Sequence, residues 1–149
     1  MDFLLWIEES SIGIFIRESL WGYPIVLSSH AVGMATVMGV VVALNMRVLG
    51  FAKAISIDAF DKLFIIGWLG FALNLISGLI LFTGNASYYT FQGSFQLKLA
   101  FILIGGVLMK VLMNFIRQDK STVQIKLISA ICLASWFGGI ITGRLMAYI

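Results

Sequence analysis

Carboxylates are missing from every long apolar stretch of this 149-residue chain, and charged residues of either sign make up only 11% of it. Its acidic residues lie at positions 2, 8, 9, 18, 58, 61 and 119, before or between those stretches. Soluble domains carry about 25% charged residues. The low charge therefore excludes an ordinary soluble fold. The placement of the acids argues against ion coupling through membrane-buried carboxylates.

Cysteine and histidine each occur once, as Cys132 and His30. One cysteine excludes an intrachain disulfide and any zinc or iron–sulfur site built from several cysteines, so we expect Cys132 to be a small packing residue. One histidine excludes a bis-histidine haem within a single chain.

Walker, dinucleotide-binding, nucleophile and metal-hydrolase motifs are also missing, so we expect no independent enzyme. Asp2, Glu8 and Glu9 replace a basic N-terminal region, and we expect no cleaved signal peptide.

Apolar residues are what the chain has in excess: 60% of it is hydrophobic and its mean hydropathy is +1.02. A small domain is mostly surface and cannot hide so much apolar area inside one core. Four blocks have the roughly 20 apolar residues that a spanning helix needs, at about 24–46, 63–83, 97–116 and 126–148. Unpaired backbone groups cannot face lipid, so these blocks should be helices. The sequence predicts an all-α, integral membrane four-transmembrane-helix bundle, a single domain over residues 1–149 with lipid as a partner.

Residues 1–20 are too polar to span a bilayer, because apolar residues alternate there with Glu8, Glu9, Arg17 and Glu18. We predict one or two amphipathic helices that lie on the outer leaflet. Pro24 should open the first span, where its missing N–H costs nothing.

Basic residues are distributed unevenly between the two ends of the predicted spans. Three lie on the side of the termini, namely Arg17, Lys98 and Arg144, and seven on the other: Arg47, Lys53, Lys62, Lys110, Arg117, Lys120 and Lys126. The positive-inside rule places the second group in the cytoplasm and both termini on the outer side of the membrane, which is the periplasm if the cell is Gram-negative. This asymmetry also explains the pI near 9.2, so we expect no nucleic-acid partner.

Small residues occur at helical spacing on every predicted span, as expected where helices in lipid associate through close backbone approach. They are Ala31, Ala35, Gly39 and Ala43, then Gly67, Gly70, Asn74, Ser77 and Gly78, then Gly105 and Gly106, and finally Ser135, Gly139 and Gly143. We expect a tight bundle that acts as a homo-oligomer or as part of a larger membrane complex. Asn74 should hydrogen-bond to a neighbouring helix.

His30 lies about two turns into the first span and shares a helix face with Gly33, Met34 and Met38. An ionisable residue inside the membrane is costly and is a candidate for function. Imidazole suits haem iron or copper, and thioethers suit Cu(I). His30 would then ligate haem b, with Gly33 leaving room for the porphyrin edge, or would hold copper together with Met34 and Met38. Proton or quinone chemistry and a purely structural histidine are the other interpretations.

Two cations share the outer half with His30: Lys98 at the start of the third span and Arg144 near the end of the fourth. With His30 they would bind a haem propionate, a lipid phosphate or a quinone carbonyl, whereas contact with lipid headgroups alone is the simpler interpretation. We expect a non-enzymatic inner-membrane protein with an outer-leaflet pocket around His30, Gly33, Lys98 and Arg144 for a cofactor, a lipid-like ligand or a partner. Electron transfer with haem b or quinone, and copper handling, are the alternatives.

Several short motifs are spread over most of the chain: Arg17-Glu18-Ser19, Pro24, His30-x-x-Gly33, Arg47-x-Leu49-Gly50, Gly70-Phe71, Gly78 with Phe82, and Phe95-x-x-Lys98. Together they resemble a family of short bacterial inner-membrane proteins without an assigned activity. This resemblance implies a four-helix inner-membrane protein. The chain is more loosely similar to the copper-resistance D-type membrane proteins and to small b-type cytochromes, which also place histidines in their spans.

Overall fold

A computed structural model describes residues 2–51, 54–118, 123–146 and 148. Helices and their connections account for this described part of the chain, which has no strand: α1 Asp2–Glu8, α2 Ser11–Glu18, α3 Gly22–Leu49, α4 Ile57–Thr83, α5 Ala86–Phe91, α6 Gly93–Arg117 and α7 Val123–Leu145. Four of them, α3, α4, α6 and α7, are long and apolar enough to cross a membrane. The prediction of an all-α, four-span membrane protein is confirmed.

The observed helices extend beyond most of the predicted spans, because hydropathy marks the part in lipid and the helices continue into the polar interfaces. The second begins at Ile57 rather than near 63, so Asp58 and Asp61 lie in its first turns. The segment predicted to connect the second and third spans contains α5. Lys53 and Lys120, which enter the orientation argument, lie outside the described residues.

The four long helices form two antiparallel pairs, in which α3 packs on α4 and α6 packs on α7, and α3 also contacts α7. We call the end where α3 begins and α4 ends the outer end, following the predicted orientation, and the opposite end the inner end. Glycines bring the backbones of α3 and α4 together. A Cβ added at Gly33 would lie 2.8 Å from both Gly70 O and Asn74 N. The predicted row of small residues on α4 is confirmed as a helix interface.

The small-residue row predicted on α3 faces away from the bundle instead. Ala31 and Ala35 are exposed, and a Cβ added at Gly39 would meet nothing within 4 Å. The face that meets α4 carries Gly33, and of the row only Ala43 packs against the core. The prediction was therefore wrong for this row within the chain. A four-residue spacing identifies a helix face without saying which faces have neighbours.

The apolar core fills the inner half of the bundle. Its buried side chains come from all four spans: Val37, Val40, Val41, Leu44, Val48, Phe60, Met109, Leu112, Met113, Ile116, Ile125, Cys132 and Trp136. Cys132 is buried and free, in agreement with its predicted packing role. One polar pair joins α3 to α7 here, since the Ser129 hydroxyl donates to Asn45 Oδ1 while Asn45 Nδ2 donates to Val41 O at 2.8 Å.

An ion pair closes the inner end. Arg117 of α6 places Nη2 2.6 Å and Nε 2.8 Å from Asp61 Oδ1 of α4. The guanidinium carbon of Arg117 also lies 5.8 Å from the centroid of the Phe64 ring. Both charged side chains remain partly exposed, so the pair contributes at most about 1 kcal/mol. Its main effect is to set the position of α4 against α6.

The N-terminal helices α1 and α2 pack over the outer end. Glu8 Oε1 accepts a hydrogen bond from the Ser87 backbone N–H at 2.7 Å and a second one from the Ser87 hydroxyl, at the first turn of α5. A Cβ added at Gly13 would lie 2.8 Å from Thr83 O, so α2 rests on the end of α4. The two predicted N-terminal helices are confirmed, and their attachment to α4 and α5 is an addition that the sequence did not reveal.

We expect Glu8→Gln to weaken the attachment of α1. The Ser87 hydroxyl, followed by the Ser87 backbone N–H, holds the pKa of the Glu8 carboxyl below its usual range. A carboxyl whose pKa is lowered on folding stabilises the folded form above its unfolded pKa, and this stabilisation is lost as the pH falls through the folded pKa. The protection factors of the α1 amides, which correct for the intrinsic pH dependence of hydrogen exchange, should therefore fall as wild-type protein is acidified through that range, and should already be lower at neutral pH in Glu8→Gln. The exposed neighbour provides the control, Glu9→Gln. Equal acceleration in both variants would contradict the contact.

We expect Gly33→Ala to destabilise the bundle by about 1–3 kcal/mol, the usual cost of overpacking. The added methyl would press on Gly70 O and Asn74 N. Gly93→Ala adds the same methyl in open space at the start of α6 and should be neutral or stabilising, because alanine is the better helix former. Unfolding in detergent, followed by circular dichroism, measures both variants. Similar stability of the two would show that α3 and α4 are not in close contact.

Candidate functional site

His30 and Asn74 are joined by reciprocal hydrogen bonds between α3 and α4. His30 Nδ1 lies 3.0 Å from the backbone oxygen of Asn74, and Asn74 Nδ2 donates to the backbone oxygen of His30 at 2.9 Å. Each side chain thus bonds the main chain of the other residue, an arrangement we call the His30–Asn74 clasp. The prediction that Asn74 bonds to a neighbouring helix is confirmed.

The clasp determines which ring nitrogen of His30 carries the proton. A carbonyl oxygen can only accept, so Nδ1 must donate to Asn74 O. The Ser77 Oγ atom, also 3.0 Å from Nδ1, is a second acceptor, because its own hydroxyl donates to Leu73 O at 2.6 Å. The ring lone pair is therefore on Nε2. Histidines that ligate metals are commonly oriented by this kind of bond from the other ring nitrogen to a main-chain carbonyl.

The Nε2 atom of His30 is buried and has no hydrogen-bond partner in the part of the chain that the structure describes. Buried polar atoms nearly always have a partner, so an unpaired acceptor calls for a ligand or a water molecule. The imidazole lies against Gly78, where an added Cβ would come within 3.2 Å of Cε1. Glycine at this position leaves room for the ring between the two helices.

Lys98 of α6 is a half-buried cation in the same outer half of the bundle as His30. Its stem passes over Gly143 of α7, where an added Cβ would lie 3.4 Å from Cδ and 3.5 Å from Nζ. The outer half thus holds a hydrogen-bond acceptor on α3 and a cationic donor on α6. Their joint action on one ligand stays a prediction.

Two further buried polar atoms near the outer end of α6, Gln92 Oε1 and Ser94 Oγ, lack a partner among the described residues. The Gln92 amide donates to Met146 O and to the Tyr88 hydroxyl, each at 3.3 Å. Ser94 precedes Lys98 by one turn and lies on the same helix face. Sequence reasoning missed both residues, because a polar residue at the start of a span resembles an ordinary headgroup contact.

The remaining predicted site residues lie in different surroundings. Arg144 is exposed at the end of α7, and Gly33 is buried against the α4 backbone, a position that helix packing alone explains. Met34 is half-buried on α3, whereas Met38 packs against the apolar core. The described residues contain no group of three or more His, Cys, Asp and Glu residues that could hold a metal ion. A role in ligand binding stays a prediction for all four.

Two cavities open at the outer half of the described structure, and His30 lines neither of them. The larger, of 620 Å³, lies between α2, the beginning of α3, the end of α4, and α5. The smaller, of 480 Å³, is an apolar furrow along the outer turns of α3 that reaches Leu73 of α4. Because Nε2 itself is buried, any ligand of His30 must be small or must enter by displacing neighbouring side chains.

Comparisons of the chain with protein-family models, with curated proteins and with solved structures find no match.

We expect the His30 ring to carry its proton on Nδ1 and a lone pair on Nε2. Because the chain has one histidine, histidine labelled with ¹⁵N gives one pair of ring signals in a solid-state NMR spectrum of the membrane-embedded protein. These signals should show one protonated and one unprotonated nitrogen, with the proton on Nδ1. Ser77→Ala removes the second acceptor and should shift the Nδ1 signal without moving the proton. A proton on Nε2 in the wild type would contradict the clasp.

Proposed function

We propose that this chain is a non-enzymatic protein of the bacterial inner membrane that binds a cofactor or a lipid-like ligand at His30. Its four apolar helices make it a multi-pass membrane protein. The observation that carries the proposal is the buried, unpaired Nε2 atom of His30, whose lone pair is oriented by the bond from Nδ1 to Asn74 O. A purely structural histidine is expected to hydrogen-bond through both ring nitrogens, as buried polar atoms nearly always do.

We infer the chemistry of the ligand from two groups in the outer half of the bundle, the His30 imidazole and the Lys98 ammonium. Nε2 accepts a hydrogen bond, and the Lys98 ammonium donates hydrogen bonds and attracts negative charge. A molecule that presents a hydroxyl next to an oxygen acceptor complements both groups. Quinols and the hydroxyl-bearing headgroups of lipids have this pattern, and they reach the site from the bilayer. Electron transfer through a quinone is a form of the same proposal.

Haem b is a second candidate, because a histidine oriented through its Nδ1–H bond is a good axial ligand. His30 would supply that ligand and Lys98 would contact a propionate. The donor atom fits, but Nε2 is buried, so neighbouring side chains would have to move before an iron could reach it. A second axial histidine would have to come from a second copy, because the chain has only one.

Copper handling has the least support. An ion at Nε2 would need the thioether of Met34, whereas Met38 lies eight residues from His30, about 12 Å along the helix axis, and packs against the core. The described residues also contain no group of three or more His, Cys, Asp and Glu residues that could hold a metal ion.

We expect His30→Asn to abolish ligand binding with little loss of stability. The asparagine amide can still donate to Asn74 O but has no counterpart of Nε2. The wild type and this variant are purified in mild detergent. Mass spectrometry of the organic extract, the visible spectrum and elemental analysis then detect a lipid-like molecule, haem or copper respectively. His30→Ala, which removes both ring nitrogens, should lose stability as well as ligand.

The proposal fails if the wild type carries no stoichiometric ligand, or if His30→Asn retains it. A Soret band that disappears in His30→Asn would establish haem. Copper that disappears in both His30→Asn and Met34→Leu would establish the metal site.

We further propose that both termini face the periplasm and that the chain forms a small homo-oligomer or joins a larger membrane complex. The excess of basic residues at the inner end supports this orientation. The exposed face of α3 with Ala31, Ala35 and Gly39 supports association, since small residues allow two helices to approach closely in lipid. The motifs that resemble short bacterial inner-membrane proteins support the same location.

A further inference from the structure

The larger outer cavity, of 620 Å³, carries two opposite charges. We call it the headgroup groove. Arg17 and Glu18, at the end of α2, both line it, together with the hydroxyl-bearing side chains of Tyr23 and Tyr89. These residues lie where α3 begins and α4 ends, the level at which a membrane-spanning bundle meets lipid headgroups. The groove is independent of His30, which does not line it.

The two charges in the groove are available to a ligand. Arg17 makes one long hydrogen bond, from Nη1 to Gly84 O at 3.5 Å, which leaves further guanidinium N–H groups free to donate. Glu18 is exposed, and its carboxylate makes no hydrogen bond or ion pair in the described part of the chain. Consecutive residues on a helix do not face each other, so the groove offers a separate cation and a separate anion.

The tyrosines add neutral donors beside these charges. Burial, followed by the proximity of Tyr23 and Tyr88, raises the pKa of the Tyr89 hydroxyl above its usual value. Tyr89 therefore keeps its proton at neutral pH and donates hydrogen bonds without adding charge.

An apolar furrow adjoins the groove at Pro24, which lines both cavities. The furrow is also lined by Trp21, just before α3, by Ile25 and Val32 of α3, and by Leu73 of α4. The two serines in it are satisfied by their own helix, since Ser28 Oγ donates to Pro24 O at 2.8 Å and Ser29 Oγ to Ile25 O at 3.0 Å. A polar groove and an apolar furrow thus lie side by side at the outer end of α3.

We propose that the headgroup groove and the furrow together bind one phospholipid with a primary-amine headgroup, phosphatidylethanolamine. The phosphate lies on Arg17, the ammonium on Glu18, and one acyl chain in the furrow. A guanidinium and a phosphate form charge-assisted hydrogen bonds, as do a carboxylate and a primary ammonium. The quaternary ammonium of phosphatidylcholine has no N–H to donate, and phosphatidylglycerol has no positive charge for Glu18. The groove therefore selects for ethanolamine.

The test uses Trp21 as the probe, because it lines the furrow. The full chain is placed in nanodiscs that contain a small fraction of phosphatidylethanolamine, phosphatidylcholine or phosphatidylglycerol with brominated acyl chains. Fluorescence quenching is measured, and the signal of Trp21→Phe is subtracted to isolate this tryptophan. Wild-type protein should be quenched at about threefold lower concentration by phosphatidylethanolamine than by the other two lipids, as expected for one exposed ionic contact.

Glu18→Gln should abolish the preference for ethanolamine over choline. This variant is the main test, because Glu18 makes no contact that folding needs. Arg17→Gln should weaken binding of every phospholipid, and Arg17→Lys should restore part of it. Glu9→Gln is the matched control and should behave as wild type. Equal quenching by all three lipids in the wild type, or an unchanged preference in Glu18→Gln, would overturn the proposal. Displacement by free phosphoethanolamine at the concentration where a short-chain phosphatidylethanolamine displaces would assign the groove to a soluble ligand and overturn it too.

Discussion

The reciprocal bonding of His30 and Asn74 is the constraint on which the outer half of the bundle depends. In lipid no water is available to satisfy a buried imidazole or amide, so each must find its partner within the protein. These two side chains find it in the main chain of the facing helix. That is feasible only where the backbones of α3 and α4 approach closely, as they do where Gly33 meets Gly70 and Asn74. The close packing of α3 on α4 and the hydrogen bonding of these two side chains therefore depend on each other.

The same constraint creates the chemistry of the site. By committing Nδ1 to Asn74 O, the fold leaves the Nε2 lone pair as the one reactive feature of the imidazole and holds it at a set depth. The inner half of the bundle is held together mainly by apolar packing. Its apolar side chains fill the space between the four spans, and its described inter-helix polar contacts include the Asn45–Ser129 hydrogen bond. Of the four buried side-chain atoms without a partner among the described residues, three lie towards the outer end and one, Trp136 Nε1, lies in the apolar core.

Hydropathy and length were sufficient to predict the four spans, because the solvent imposes helices of a certain length whatever the details of packing. The interface of α4 with α3 was also predictable, because its small and polar residues stand out among large apolar neighbours. They are Gly67, Gly70, Asn74 and Ser77. The corresponding face of α3 was not. Its small residues Ala31, Ala35 and Gly39 point outward, while the inward face is built from Gly33 and larger aliphatic side chains. In lipid both faces of a helix are apolar, so composition separates them poorly.

The candidate site was predicted in part. His30 and Lys98 were identified from their chemistry, and their shared depth followed from counting residues from the outer end. The partners of the ring, Asn74 O and Ser77 Oγ, were not identified. Every residue carries a main-chain acceptor, so the sequence alone does not show which of them a side chain uses. The docking of Glu8 on Ser87 was missed for a related reason. The helix that presents Ser87 lies in a segment whose hydropathy is typical of a loop.

The ion pair between Asp61 and Arg117 has a consequence for biogenesis. The two residues are separated by 56 positions and belong to different hairpins, α3–α4 and α6–α7. Asp61 therefore has this partner only when both hairpins are in place. The pair joins the inner ends of two elements that lie far apart in the sequence, so its formation requires the assembled bundle and not either hairpin alone.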